Sequence, residues 1–234
     1  MQREEFDSNR ILNFKLRPEQ SEAIIKTKSY FDNFESAENR IPHFLWNCKM
    51  RFGKTYTTYK LANEMGWKKV LILTFKPAVE NSWKQDLESH VDFKNWQFVS
   101  KSNKNFDDLN KDKNTICFGS FQDFLGKNSV GGIKPKNELV HKIDWDCIVL
   151  DEYHYGAWND TAKELYANET SKEKNDSHSS DQDLWEEDVS PLKTSSYLYL
   201  SGTPFKAIES GEFIEEQIYD WTYHDEQEAK LNWN

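Results

Sequence analysis

Long apolar runs are missing from this 234-residue sequence. None approaches the roughly 20 residues that a membrane-crossing helix requires. The N-terminus, Met1-Gln2-Arg3-Glu4-Glu5, also lacks the apolar stretch of a secretory signal, so a cytoplasmic chain with no membrane partner is expected. Cysteine is scarce. Cys48, Cys117 and Cys147 are odd in number, lie beside apolar residues, and form no C-x-x-C pair or His-containing metal spacing. A disulfide scaffold and a zinc site are thereby excluded, and reduced, buried thiols are expected. Positive charge is in deficit, giving a net charge of −10. Spread evenly, that charge would argue against a polyanionic partner. It is not even: residues 160–190 hold ten acids against three lysines (net −7), and residues 191–234 eight against three (net −5). Subtracting both from −10 leaves about +2 for residues 1–159, so the first two thirds of the chain can face a polyanion.

What the sequence does hold is aromatic. Hydrophobic residues make up 37% and aromatic residues 15%, with a mean hydropathy of −0.89. The core is therefore built largely from Phe, Tyr and Trp beneath a strongly charged surface. The length suits one large domain, or one domain and part of a second.

The stretch Cys48-Lys49-Met50-Arg51-Phe52-Gly53-Lys54-Thr55 carries the first chemical signal. It ends in the Gly-Lys-Thr of a phosphate-binding loop. In such loops backbone N–H groups wrap phosphates, the Lys reaches the outermost ones and the Thr hydroxyl ligates magnesium. The first glycine of the pattern is replaced by Cys48. The apolar run His43–Cys48 before it and the helix-compatible run Thr55–Glu64 after it supply the strand-loop-helix setting that the motif needs.

Upstream, Leu16-Arg17-Pro18-Glu19-Gln20 opens a helix, with Pro18 in its first turn and Ala23, Ile24 and Ile25 on its apolar side. Gln20 is either an ordinary member of that amphipathic helix or an exposed amide able to read an adenine edge. Lys68–Phe75 contains the unbroken apolar stretch Val70–Leu73, as in a strand of a parallel sheet covered on both faces. A helix over Pro77–Ser89 follows, with Trp83 and Leu87 four residues apart. Strands are expected at Trp96–Val99, Thr115–Gly119, Ile143–Leu150 and Tyr197–Leu200, a solvated loop at Lys101–Asn114, and a helix around Glu212–Ile218.

Asp151 and Glu152 close the Ile143–Leu150 strand. Ligands gather at the carboxyl ends of parallel strands, so this pair and the phosphate loop would share one edge. There an Asp can hold magnesium through water and a Glu can take a proton from an attacking water; alone, the pair fits a solvated turn equally well. The acidic stretch 161–194 reads as a mobile insertion, either a plain surface loop or a partner-binding or autoinhibitory element.

Six segments stand in one order: Leu16–Gln20, Met50–Thr55, Leu73–Pro77, Gly119–Gln122, Leu150–His154 and Leu200–Phe205. The set resembles the N-terminal motor domain of a superfamily-two helicase or translocase of DEAD/DEAH type, and most resembles the restriction-enzyme subunits of the type III kind. The resemblance implies an α/β, RecA-like P-loop NTPase fold of three layers with a mostly parallel central sheet. It implies ATP and Mg2+ as ligands and DNA, single- or double-stranded, as the track, with RNA as the alternative polymer.

Residue by residue, the resemblance places Gln20 with Arg17 at the adenine, and Met50, Arg51, Phe52, Gly53 and Lys54 around the phosphates. It places Thr55 and Asp151 on magnesium and Glu152 as general base. It assigns coupling of nucleotide state to Ser201, Thr203 and His154, and nucleic-acid backbone contact to Thr74, Lys76 and Ser120. The implied organisation is an N-terminal segment over 1–40, a motor domain over 41–220 with the acidic insertion, and a polar tail or linker over 221–234. That linker would lead to a second RecA-like domain, with restriction or modification subunits as further partners. A second domain would supply an arginine finger, so the chain alone is expected to hydrolyse ATP weakly. The alternative function is a nucleotide-dependent scaffold that does not turn ATP over.

Overall fold

A computed structural model describes residues 10–35, 40–102, 109–125, 137–153, 192–202, 211 and 213–231. The apolar runs become strands β1 (His43–Cys48), β2 (Lys69–Thr74), β3 (Trp96–Ser100), β4 (Asn114–Ser120), β6 (Cys147–Asp151), β8 (Tyr197–Ser201) and β9 (Ile218–Trp221). They form one seven-stranded sheet in the order β3-β4-β2-β6-β8-β1-β9, with every pair parallel. Two short strands, β5 (Asp144–Trp145) and β7 (Lys193–Thr194), pair beside it.

Helices α1 (Pro18–Asp32), α2 (Lys54–Glu64), α3 (Glu80–Ser89), α4 (Phe121–Leu125), α5 (Glu138–Lys142) and α6 (Tyr223–Leu231) complete the described elements. None of the described helices is long and apolar enough to cross a membrane.

Alternation along each strand divides the core in two. Phe44, Trp46, Val70, Ile72, Ile116, Phe118, Val149, Leu198 and Leu200 face a cluster shared with Ala23 and Ile24 of α1, Tyr59, Leu61 and Ala62 of α2, and Trp83 and Leu87 of α3. Their neighbours Leu45, Leu71, Leu73, Cys117, Ile148, Leu150, Tyr197 and Tyr199 face a second cluster with Phe121, Phe124 and Val140. Side chains buried on both faces explain why these strands read as continuous apolar runs. Each buried Phe or Leu contributes about 1.5–3 kcal/mol by leaving water. The three cysteines are buried and free, and burial pushes each thiol up from its ordinary range.

Three local features differ from the sequence reading. Pro77–Val79 is a 3-10 turn, and the α-helix begins only at Glu80. The helix expected around Glu212–Ile218 is instead a 3-10 turn at Glu215–Gln217 followed by edge strand β9, which pairs in parallel register with β1 and buries Ile218 and Tyr219. Within the 161–194 stretch, Lys193 and Thr194 form β7; residues 154–191 lie outside the described residues.

Candidate functional site

The carboxyl ends of the strands set out the candidate site. Register aligns Thr74 with both Ser120 and Asp151, Asp151 with Leu200, and Asn47 with Ser201. Strand β8 lies between β1 and β6, so the loop after Cys48 and the acids after Leu150 stand about 10 Å apart on one edge, with Ser201 between them. Ser201 is fully buried.

The loop joining β1 to α2 is held in shape by its backbone. Gly53 has φ 85° and Arg51 φ 70°, both left-handed. Gly53 is also where side chains leave no room, because a Cβ there would lie 2.7 Å from Gln20 Nε2. Lys54 Nζ donates to the carbonyls of Cys48 at 2.6 Å and Lys49 at 3.4 Å, folding the cation back over the loop. Burial pulls the Lys54 ammonium below its ordinary range, and the nearby Cys48, Glu152 and Asp151 act in the opposite direction. Thr57 and Thr58 bond back to the carbonyls of Gly53 and Lys54, whereas no hydrogen bond within the described residues engages the Thr55 hydroxyl.

Gln20 is not the exposed amide that one of its two readings required. It is 5% exposed; its Oε1 accepts the Arg17 N–H at 2.9 Å and its Nε2 donates to Phe52 O at 2.8 Å. Arg17 Nη2 donates to Phe52 O and Arg51 O, and its Nε pairs with Glu19 at 3.1 Å. The start of α1 is thus bonded onto the loop, and Gln20 keeps one amide hydrogen and one lone pair beyond these bonds. Ahead of α1, Phe14 is 55% exposed, and its carbonyl accepts from Tyr56 Oη on α2 at 2.6 Å. Met50 is 81% exposed at the loop's tip.

Asp151 is 7% exposed. Its Oδ2 accepts Trp83 Nε1–H at 2.9 Å, and its Oδ1 accepts the Glu152 N–H at 3.0 Å. Burial raises its carboxyl above the usual carboxylate range; the Trp83 bond and Lys54 oppose this, while the charge of Glu152 adds to it. Glu152 has φ 57°, an uncommon conformation for a non-glycine residue, and Lys76 Nζ lies 3.8 Å from its Oε2. A half-buried cation and a buried acid thus stand on one strand edge, each shifted by burial toward its neutral form.

The residues assigned to a nucleic-acid track divide. Lys76 is exposed. Thr74 is fully buried, with Oγ1 accepting Lys76 N–H at 3.0 Å. Ser120 is 8% exposed and caps α4: its Oγ donates to Asp123 Oδ2 at 3.1 Å and accepts from Asp123 N at 3.0 Å. These two hydroxyls turn inward, and of the three residues only Lys76 is exposed. His154 and Thr203 lie outside the described residues. The sequence reading missed Trp83 as a partner of Asp151, because a Trp on an amphipathic helix reads as core.

The family model described as "Type III restriction enzyme, res subunit" matches residues 13–206. A putative type II restriction enzyme and methyltransferase C-terminus from Mycoplasma pneumoniae is 37% identical over 236 residues, covering 92% of this chain. This chain spans 32% of that relative's length. Among solved structures, the Sulfolobus solfataricus SWI2/SNF2 ATPase core in complex with dsDNA aligns with a TM-score of 0.53 at 15% identity, over 84% of this chain and 34% of that one. A nuclease-deletion mutant of the type ISP restriction-modification enzyme LlaGI, in complex with a DNA substrate mimic, aligns with a TM-score of 0.52 at 13% identity, over 94% of this chain and 21% of that one. At such identities these two likenesses speak for the RecA-like motor-domain fold, and the family match speaks for descent. The chain belongs to the family of type III restriction enzyme res subunits.

Proposed function

We propose that this chain is the ATP-binding module of a DNA-driven translocase or helicase in a restriction-type system. The observation that carries the reading is the meeting of Lys54 and the Asp151-Glu152 pair on one carboxyl edge of a parallel sheet, where ligands of open α/β folds bind. Lys54, released from the carbonyls it now covers, would reach the outer phosphates. Gly53 and Arg51 hold the loop open-wound, so that N–H groups at the start of α2 face an anion.

The Thr55 hydroxyl and Asp151 carboxylate fit magnesium, a hard cation that takes oxygen ligands. The ion, when bound, would neutralise phosphate charge. Glu152 would accept the proton of the attacking water. Gln20, bonded to the loop from behind, has one donor and one acceptor left for the adenine edge, and the exposed Phe14 ring ahead of α1 offers an apolar face. Because the two structural neighbours are complexes with dsDNA and with a DNA substrate mimic, DNA is the polymer favoured for the track. Lys76 would meet its backbone, a contact that carries no sequence information.

Rapid turnover would need an arginine from a second RecA-like domain, worth about 10³–10⁵ in rate, or roughly 4–7 kcal/mol of barrier. The test is ATP hydrolysis by a longer protein spanning the relative's motor region, with and without duplex DNA. DNA-stimulated hydrolysis that is lost in Glu152→Gln is the expected result. Nucleotide binding with no hydrolysis under either condition would point to a scaffold instead.

A further inference from the structure

We infer that Trp83 is a positioning residue for Asp151: its indole N–H fixes the carboxylate that holds the divalent cation while leaving the charge of that carboxylate intact. The inference rests on the reading of Asp151 given above and extends it to a residue on a different element.

The geometry is direct. Trp83 is 2% exposed on α3, Asp151 is 7% exposed at the end of β6, and Nε1 lies 2.9 Å from Oδ2. The second oxygen takes the Glu152 N–H at 3.0 Å, so one donor from each side pins the carboxylate plane. Each oxygen accepts one of these hydrogens and keeps capacity for a further partner.

The chemical type of the donor matters as much as its place. A buried carboxylate with no partner is costly. A Lys or Arg in that position would satisfy it, but would also neutralise it and compete with an incoming cation. An indole donates one hydrogen, carries no charge and does not titrate. It therefore orients the acid and leaves the negative charge for the cation. Partners of this kind, one shell out from a metal ligand, typically change metal affinity about 10- to 100-fold when removed.

Trp83 is itself held. Tyr59, 1% exposed on α2, donates its Oη to Trp83 O at 2.8 Å, and the two rings meet edge to face at 5.5 Å. Because Tyr59 sits on the helix that Lys54 opens, the network joins the phosphate-loop helix, α3 and the acid on β6. A shift of α2 on nucleotide binding would reach Asp151 through this path as well as through the ligand.

Trp83→Phe keeps an aromatic ring in the core and deletes the N–H. Equilibrium binding of a fluorescent ADP analogue, titrated with MgCl2 and repeated in EDTA, separates the two contributions. The expected result is a half-saturating Mg2+ concentration raised about tenfold in Trp83→Phe, with affinity in EDTA within about twofold of wild type. An unchanged Mg2+ requirement would overturn the inference and leave Trp83 as packing alone.

Asp151→Asn run in parallel separates failure of the underlying reading. If it too binds with the wild-type Mg2+ requirement, Asp151 does not hold the cation and both statements fall. The wild-type protein gives a readout that needs no Trp83 variant to fold. The 15N-indole resonance of Trp83 should move in Asp151→Asn and on addition of Mg·ADP; an indole signal indifferent to both would equally overturn the inference.

Discussion

At the scale of the residue, the site depends on positions where one atom decides the outcome. Gly53 combines φ 85° with a Cβ position only 2.7 Å from Gln20 Nε2. In Gly53→Ala the backbone would pay about 1–2 kcal/mol for the left-handed conformation, and the displaced Gln20 would withdraw one of the two donors to Phe52 O, leaving that of Arg17. The expected outcome is a protein destabilised by about 2–3 kcal/mol in urea titration, with nucleotide binding lost under conditions where the variant is still folded. Gly53, Lys54, Asp151 and Glu152 were readable from the sequence because their spacing after apolar strands is itself the signal. The inward bonds of Gln20, Thr74 and Ser120 were not readable, because a polar residue at a helix start or strand end looks the same whether its side chain turns to solvent or to a backbone group brought close by the fold.

At the scale of the element, residues 10–14 are fastened to the end of α3 and the turn after it. Leu12 bridges to His90, with Leu12 N donating to Ser89 O and Val91 N to Leu12 O, both at 2.9 Å. The buried Arg10 guanidinium donates to the carbonyls of Leu87, His90 and Trp96. His90, 1% exposed, accepts the Phe14 N–H on Nε2 at 2.8 Å, and its ring packs between Phe14, Tyr56 and Phe93.

Burial pulls the His90 pKa below its ordinary value, with the charge of Asp92 and the Phe14 bond opposing. The folded chain therefore holds fewer protons at this site than the unfolded one. The stability that His90 contributes is complete above the unfolded value of about 6.5 and falls as pH drops below it. Urea titrations between pH 5 and 8 should show this acid-side loss in wild type and a flatter profile in His90→Asn. Equal slopes would remove His90 as the cause.

The strands and α1 to α3 were legible because apolar continuity and helix-start chemistry are local. Strand β9 was not, since Ile218–Trp221 becomes a strand only by register on β1, some 170 residues earlier. Nor was β7, two residues that pair only with Asp144 and Trp145.

At the scale of the whole molecule, a chain of net charge −10 carries its proposed track contact on an exposed lysine at the same edge as its acids. Lys76 Nζ lies 3.8 Å from Glu152 Oε2, so the proposed track contact also pairs with the proposed base. If Lys76 meets a phosphate, Lys76→Ala should weaken DNA binding without altering sequence preference. It should also reduce the slope of log K against log salt concentration by about 0.9, the share of one phosphate contact; an unchanged slope would move the track elsewhere.

If the loop after β1 holds a nucleotide through Lys54, equilibrium binding of labelled ATP in the presence of Mg2+ should distinguish wild type from Lys54→Ala. Saturable binding is expected for the wild type and a loss of about 10- to 100-fold for the variant, the range of a lost charge-assisted contact of about 1.5–3 kcal/mol. Equal affinity in the two proteins, or no binding by either, would contradict this role of the loop and Lys54.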